Sequence, residues 1–144
     1  MVHQDKGKFF EKHPVGTKVP EDLKQEILNQ VADNNIACKA AEKIALKMKT
    51  KLGEVGVVID MLNINIAQCQ LGLFGYDGKS KQVSEASSVS PELETGICAA
   101  LTDGRLPCAA AWKIADQFKI KRLDLCAACE KLKIKVKPCQ LGAF

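Results

Sequence analysis

Histidine and aromatic residues are scarce in this chain of 144 residues. It holds two histidines, His3 and His13, one tryptophan and one tyrosine. Both histidines lie in the first 21 residues, and no Ser-His-Asp or Cys-His arrangement can be argued from the order of the other residues. Because active sites concentrate such groups, we expect that the protein is not an enzyme.

Long apolar runs are also lacking. None approaches the roughly 20 residues that span a membrane, and the first twenty residues carry four lysines without the apolar stretch of a secretory signal. We therefore expect a cytoplasmic protein with no membrane partner. In the reducing cytoplasm its seven cysteines are expected to be free thiols or metal ligands.

The composition is that of a globular protein, with 47% hydrophobic and 26% charged residues. The formal net charge is +4, and residues 92–144 alone contribute +3. A basic excess of this size permits contact with phosphate groups without requiring it.

An internal repeat organises most of the chain. Residues 22–74 align with residues 92–144 without a gap, and 18 of the 53 aligned positions are identical. This agreement at a single register predicts two tandem copies of one structural unit. Residues 1–21 are then an N-terminal arm, and residues 75–91, rich in Gly, Ser and Lys, are an exposed linker.

Each copy has the apolar spacing of three helices. In the first copy Leu23, Ile27 and Val31 recur every four residues, and later apolar residues follow the i, i+3, i+4, i+7 pattern twice. Ser90 and Pro91 predict the start of the first helix of the second copy, as a capping hydroxyl followed by an N1 proline. The residues of the second and third helices are Ala41, Ile44, Ala45, Met48, Val55, Val58, Ile59 and Leu62, and the corresponding residues 70 positions later.

After the third helix the pattern changes to strand-like alternation. Ile64 and Ile66 alternate with asparagines, and four lysines alternate with apolar residues in the second copy. The sequence therefore predicts a mainly α protein with short β-strands, built of two tandem winged-helix-like repeats of three helices and a strand. The four alternating lysines are Lys131, Lys133, Lys135 and Lys137.

Residues 111–120, Ala-Trp-Lys-Ile-Ala-Asp-Gln-Phe-Lys-Ile, followed by Leu125 and Leu132, resemble the helix-turn-helix of bacterial transcriptional regulators. The first copy matches at Ala41, Ile44 and Ala45, and both copies have lysine where glycine is common in the turn. The resemblance implies a DNA-binding regulator whose third helix enters the major groove of double-stranded DNA.

The candidate DNA contacts are basic residues at the turns and after the third helix. A strand would align the four alternating lysines on one face, as in a basic wing, where they would contact phosphates. Lysines of this kind also protect an edge strand from aggregation, which is the alternative interpretation. The candidate residues are Lys49, Lys51, Lys119, Lys121, Arg122, Lys131, Lys133, Lys135 and Lys137.

The third helices themselves offer few side chains suited to reading bases. Residues 52–60 contain no basic residue and two acids, and Lys121 and Arg122 are followed by small and apolar residues. Such a helix suits packing against another helix equally well. A protein–protein interaction or dimerisation module, including a homodimer, is therefore the second hypothesis.

Four cysteines occupy matching positions, as the pairs Cys38 and Cys108, and Cys69 and Cys139. If they converge, they could hold zinc or an iron–sulfur cluster, which gives a third hypothesis, a metal or redox sensor. Their spacing of 31 residues within a copy lacks the short knuckles of structural zinc sites. Small buried thiols are the alternative interpretation, also for Cys126 and Cys129 inside the third helix.

Both copies end in Cys-Gln-Leu-Gly-X-Phe. Its glycine predicts a backbone turn or a close approach after the strand, with the leucine and phenylalanine folded onto a core. The glutamine either binds a ligand or satisfies the neighbouring backbone.

Overall fold

The computed structural model describes residues 19–76 and 81–143. The predicted N-terminal arm lies almost wholly outside these ranges. In the described residues the chain forms six helices and two strands, and is mainly helical. The elements are α1 (Glu21–Gln30), β1 (Asn35–Ala37), α2 (Cys38–Met48), α3 (Leu52–Met61), β2 (Asn65–Ala67), α4 (Pro91–Ala99), α5 (Cys108–Gln117) and α6 (Arg122–Lys131).

The chain divides into two compact units. The first contains the described residues up to Cys69 together with Leu141–Ala143, and the second contains the described residues of Gln70–Gln140. The first unit therefore holds three helices of the first copy and Leu141–Ala143 of the second copy. The second unit holds three helices of the second copy and the ending of the first copy from Gln70 onward. The repeat alone did not indicate this exchange of endings.

In the first unit, α1, α2 and α3 pack around most of the apolar residues that the helical spacing selected, whereas Val31, Met48 and Leu62 are only half-buried. Leu23 and Ile27 of α1 are buried, and so are the core positions of α2 and α3. Lys47 Nζ lies 2.8 Å from Glu26 Oε1, which links α2 to α1. The buried core residues of α2 and α3 are Ala41, Ile44, Ala45, Val55, Val58 and Ile59.

Tight turns close the first helix of each copy, at residue types that favour turns. Asp33 and Asn34 have φ angles of 50° and 61°, and Asp103 and Gly104 have 52° and 76°. Two successive left-handed residues make the tight turn of a two-residue hairpin, which Asp, Asn and Gly tolerate best. The chain thereby reverses directly after α1 and α4.

The start of α4 confirms the predicted cap. Ser90 Oγ accepts a hydrogen bond of 3.2 Å from the backbone N–H of Leu93, and Pro91 occupies the first helical turn. Ser90 thus satisfies an N–H group that has no partner inside the helix. Ile97 of α4 is fully buried, as are Ala111, Ile114 and Ala115 of α5, and Leu125, Ala128 and Cys129 of α6.

The strands differ from the prediction. A strand after the third helix of the first copy was predicted, and β2 lies there. It pairs with β1, however, and the two strands run parallel with Ile36 opposite Ile66. A wing is an antiparallel pair of strands after the third helix, and in residues 19–76 and 81–143 the one sheet is the parallel pair β1 and β2. The parallel pair instead joins the start of α2 to the end of α3.

The prediction that one strand aligns four lysines is wrong. Lys131 is the last residue of α6, and Lys133 has a φ of 61°. The N–H of Lys133 bonds to Glu130 O and that of Ile134 to Cys129 O, so this turn closes the helix instead of extending the chain. Only Lys135 and Lys137 flank an extended residue, Val136, which pairs with Leu106.

No helix in the described part of the chain is both long enough and apolar enough to cross a membrane.

The ending of the second copy packs directly onto α3 in the first unit. A Cβ atom at Gly56 would lie 2.1 Å from the carbonyl oxygen of Leu141. Since this atom is backbone, it cannot rotate away as a side chain would. Glycine at position 56 is therefore required by the close approach of two backbone segments.

Replacing Gly56 with alanine is expected to lower the free energy of unfolding by about 1–3 kcal/mol, the usual cost of overpacking. Gly96→Ala is the matched control, because it also adds one methyl group to a helix but meets only the Phe118 ring edge at 3.4 Å. Alanine is the better helix former, so Gly96→Ala should be neutral or stabilising. Urea denaturation of both variants measures the difference, and equal effects would contradict the close approach.

Candidate functional site

The turn between the second and third helices is built alike in both units. Lys49 and Lys119 adopt left-handed conformations, with φ angles of 52° and 56°. In the second unit Lys119 N–H bonds to Asp116 O and Ile120 N–H to Ala115 O, which closes α5 in the way a glycine usually does. Both lysines are exposed, so the turn presents a cation where most proteins place a glycine.

A second lysine in each turn precedes the third helix. Lys51 is the N-cap residue of α3, and Lys121 is the N-cap residue of α6. Neither side chain caps its helix, and both are exposed. The predicted pairs Lys49 with Lys51 and Lys119 with Lys121 therefore lie at the surface, two residues apart.

Arg122 is held against its own unit instead of projecting into solvent. Its guanidinium carbon lies 3.7 Å from the centroid of the Trp112 ring. Its Nη1 donates a 2.7 Å hydrogen bond to Gln70 Oε1. Cation–π stacking and a side-chain hydrogen bond both fix its direction, so Arg122 is a structural residue of the second unit.

The outward face of α6 is covered by a segment that we call the strap, residues 81–86. The N–H of Ala86 bonds to the carbonyl oxygen of Ala127 at 3.0 Å. Lys81 Nζ lies 3.0 Å from both carboxylate oxygens of Glu130, and Val83 is buried. The strap runs along the side of α6 that faces away from Leu125.

Gly72 extends this cover toward the start of α6. A Cβ atom at Gly72 would lie 2.4 Å from Leu123 Cδ1, and Gly72 has a φ of 76°. The turn and the close approach predicted for the Cys-Gln-Leu-Gly ending are thus confirmed at this glycine. Leu71 and Phe74 on either side are buried, as predicted.

The strap also places one negative charge beside two of the predicted DNA-binding lysines, which offsets part of their positive charge. Glu85 Oε1 lies 3.6 Å from Lys131 Nζ, and Glu85 Oε2 lies 3.6 Å from Lys133 Nζ. One carboxylate thus bridges two lysines at the end of α6.

The outward face of α3 is covered as well. Besides the contact of Gly56 with Leu141, Asp60 is only 5% exposed, although it lies on the opposite side of the helix from Val58. The exposed residues of α3 are confined to its first turn, Gly53 and Glu54, and Glu54 accepts a hydrogen bond from the hydroxyl of Thr50. The third helices therefore do not present a full face to a DNA groove.

Lys135 and Lys137 are the last two of the predicted DNA-contacting lysines. They lie two residues apart on an extended segment. The carbonyl oxygen of Lys135 accepts a hydrogen bond from the N–H of Leu106, and the N–H of Lys137 donates one to the carbonyl oxygen of Leu106, at 2.9 Å each. Side chains two residues apart on an extended chain share a face, and both lysines are exposed.

The cysteines do not form the predicted metal centre. In the described residues no three His, Cys, Asp or Glu side chains lie together as a metal site would need. Cys38, Cys69 and Cys108 are buried, and Cys139 is half-buried. The four-thiolate site for zinc or an iron–sulfur cluster is therefore not assembled from these side chains.

The glutamines of the two endings bond to protein side chains. Gln70 accepts from Arg122, and Gln140 Nε2 donates to Cys108 Sγ at 3.5 Å. The predicted bond to the neighbouring backbone does not describe these contacts, because both partners are side chains, 52 and 32 residues away in the sequence.

Sequence reasoning missed Glu85 and Lys81, because an exposed, polar linker gave no sign of folding back onto a helix. The sequence also did not predict the hydrogen bond between Gln70 and Arg122, because 52 residues separate them and no motif links them.

Comparison of the chain with protein-family models, with curated proteins and with solved structures found no match.

Burial changes the chemistry of one thiol in α6, that of Cys129. It raises the pKa of Cys129 from 9.0 to about 12, and the neighbouring negative charge of Glu130 adds to this increase. Since only the thiolate is a good nucleophile, Cys129 is held in its unreactive form.

A maleimide added at about pH 8 is therefore expected to modify the exposed Cys98 and to leave Cys129 unmodified until the protein unfolds. The folded state disfavours the Cys129 thiolate, so this residue's contribution to stability is present below pH 9.0 and is lost as the pH rises toward 12. Peptide mapping by mass spectrometry measures the labelling. Modification of Cys129 as fast as Cys98 in the native protein would contradict its burial.

Proposed function

We propose that the protein binds double-stranded DNA through phosphate contacts made mainly by its second unit, as a bacterial regulator or an accessory protein. We also propose that each repeat is a winged-helix-like unit in which a short pairing beside the second helix takes the place of the wing. The pair Lys119 and Lys121 at the turn before α6 carries the proposal.

The backbone conformation of Lys119 supports the proposed DNA binding. A left-handed conformation costs a non-glycine residue about 1–2 kcal/mol, and this chain has lysine there in both turns. A glycine would close α5 without that cost. Retaining a cation at a strained and exposed position is explained if the charge has a use outside the fold.

The charge of the second copy also supports the proposed DNA binding. Residues 92–144 carry a net charge of +3, and Lys135 and Lys137 add two exposed cations on one face of an extended segment. Lysine is suited to phosphate as a point charge, and such contacts supply affinity without sequence information. Lys49 and Lys51 give the first unit a smaller version of the same arrangement.

Phosphate contact fits this geometry better than the reading of base edges. Base readout needs side chains that project from a helix into the major groove. The strap covers the outward face of α6, and Arg122 stacks on Trp112. Binding that depends on lysines at the helix ends would be salt-sensitive and weakly selective among sequences.

The variant Lys119→Gln/Lys121→Gln is expected to bind random duplex DNA more weakly than the wild type. Its slope of log affinity against log salt should fall by about 2, since each lost phosphate contact removes about 0.9. Lys39→Gln/Lys43→Gln is the control, because it removes the same net charge from two exposed lysines of α2 that are not among the proposed contacts. Fluorescence anisotropy across a salt series measures both.

Equal losses in the two variants would mean that only the overall charge matters and would overturn the proposed site. Lack of wild-type binding at low salt would overturn the function.

A single substitution separates function from folding at the turn. Lys119→Gly is expected to weaken DNA binding while leaving the free energy of unfolding unchanged or raising it by up to about 1 kcal/mol, because glycine adopts the left-handed conformation without strain. Anisotropy and urea denaturation on the same sample give both values. Loss of stability together with loss of binding would instead assign Lys119 to the fold.

A further inference from the structure

The end of α6 holds an ion-pair arrangement that the phosphate contacts above do not use. Glu85 places one carboxylate oxygen 3.6 Å from Lys131 Nζ and the other 3.6 Å from Lys133 Nζ. Two cations that share one oxyanion make an anion-binding site in which the anion belongs to the chain itself. A DNA phosphate offers the same pair of charged oxygens.

The other contacts of the strap hold the Glu85 carboxylate in position. Val83 is buried, Ala86 bonds to the carbonyl oxygen of Ala127, and Lys81 pairs with Glu130. Glu85 lies between these anchors, so it reaches Lys131 and Lys133 only while the strap lies along α6. The strap covers the helix face and offsets part of the charge of its lysines at the same time.

We propose that Lys131 and Lys133 form a phosphate-binding site for nucleic acid, which Glu85 of the strap occupies until a DNA phosphate displaces it. The strap is then an intramolecular competitor for the DNA. This inference rests on the proposed DNA binding and names a second, regulated contact within it.

The strength of the ion pairs fits a displaceable competitor. Both lie at the surface, with Lys133 82% and Glu85 48% exposed, and both are longer than a direct charge-assisted hydrogen bond. Exposed pairs of this kind contribute little, because solvent and salt screen them. The high charge density of DNA can therefore exchange with Glu85, whereas a buried pair would resist it.

Removing the competing charge provides the test. Glu85→Gln keeps the size of the side chain and is expected to tighten binding of a random-sequence duplex by about two- to tenfold, the range that two exposed ion pairs allow. Glu92→Gln is the matched control, because it removes the same charge from an exposed residue of the same unit. In a Lys131→Gln/Lys133→Gln background, Glu85→Gln should have no more effect than Glu92→Gln.

Hydrogen exchange gives a readout that does not depend on affinity. The N–H of Ala86 is bonded to Ala127 at 3.0 Å, so it is protected while the strap is in place. Adding duplex DNA to the wild-type protein is expected to speed exchange in the strap peptide. Exchange that is unchanged or slower with DNA bound would show that the strap stays on α6, and would overturn the displacement.

The outcomes separate this inference from the proposed function. If the wild type binds DNA and Glu85→Gln matches Glu92→Gln, the competitor is wrong and the lysine contacts at the turn stand. If only Glu85→Gln binds, and only with Lys131 and Lys133 present, the two lysines can bind phosphate but DNA does not displace Glu85, so the displacement and the binding proposed for the wild type are both overturned. If no variant binds DNA at low salt, both are overturned.

Discussion

Gly56 lies so close to the backbone of Leu141 that a Cβ atom there would be 2.1 Å from the carbonyl oxygen. Gly72 also lies close to α6 in the second unit, but there a Cβ atom would meet the end of the Leu123 side chain, at 2.4 Å, instead of backbone. These two approaches fix the Cys-Gln-Leu-Gly endings against the third helices, and each unit is completed by residues from the other sequence copy. Neither copy, cut at the repeat boundary, would contain every segment of its unit.

The covering of the third helices determines which charges the protein can offer to a partner. An α-helix that is packed on its core side and covered on its outward side has only its ends left to interact. The lysines at those ends, in the turns before α3 and α6, are exposed. Arg122 lies one residue further on, yet it is already fixed by Trp112 and Gln70. Lys121 is therefore a surface cation, whereas Arg122, the next residue, is a structural one.

Glu85 adds a second level to this electrostatic arrangement. An acid in a linker is ordinarily solvated, but the neighbouring anchors of the strap hold this one beside Lys131 and Lys133. The net charge of the second unit is therefore a poor guide to its surface, since part of the positive charge is neutralised internally. The position of the strap therefore changes how much positive charge the second unit offers to an anionic partner.

The sequence by itself determined the local structure. Apolar spacing selected the buried positions of the helices, Ser90 and Pro91 marked the start of α4, and Asp33 and Asp103 marked the turns, because each of these signals acts within a few residues. Local signals failed at Lys133, where alternation suggested a strand. The bonds that end α6 require a left-handed residue there.

Only the tertiary structure decided the parallel pairing of β1 with β2, the exchange of the two endings and the strap over α6. Each joins segments far apart in sequence, and no periodicity records which distant segment will cover a given helix face. The candidate site followed the same division. Lys119 and Lys121 were identified from the turn pattern, whereas the partial neutralisation of Lys131 and Lys133 by Glu85 depends on how the chain folds back across nearly 50 residues.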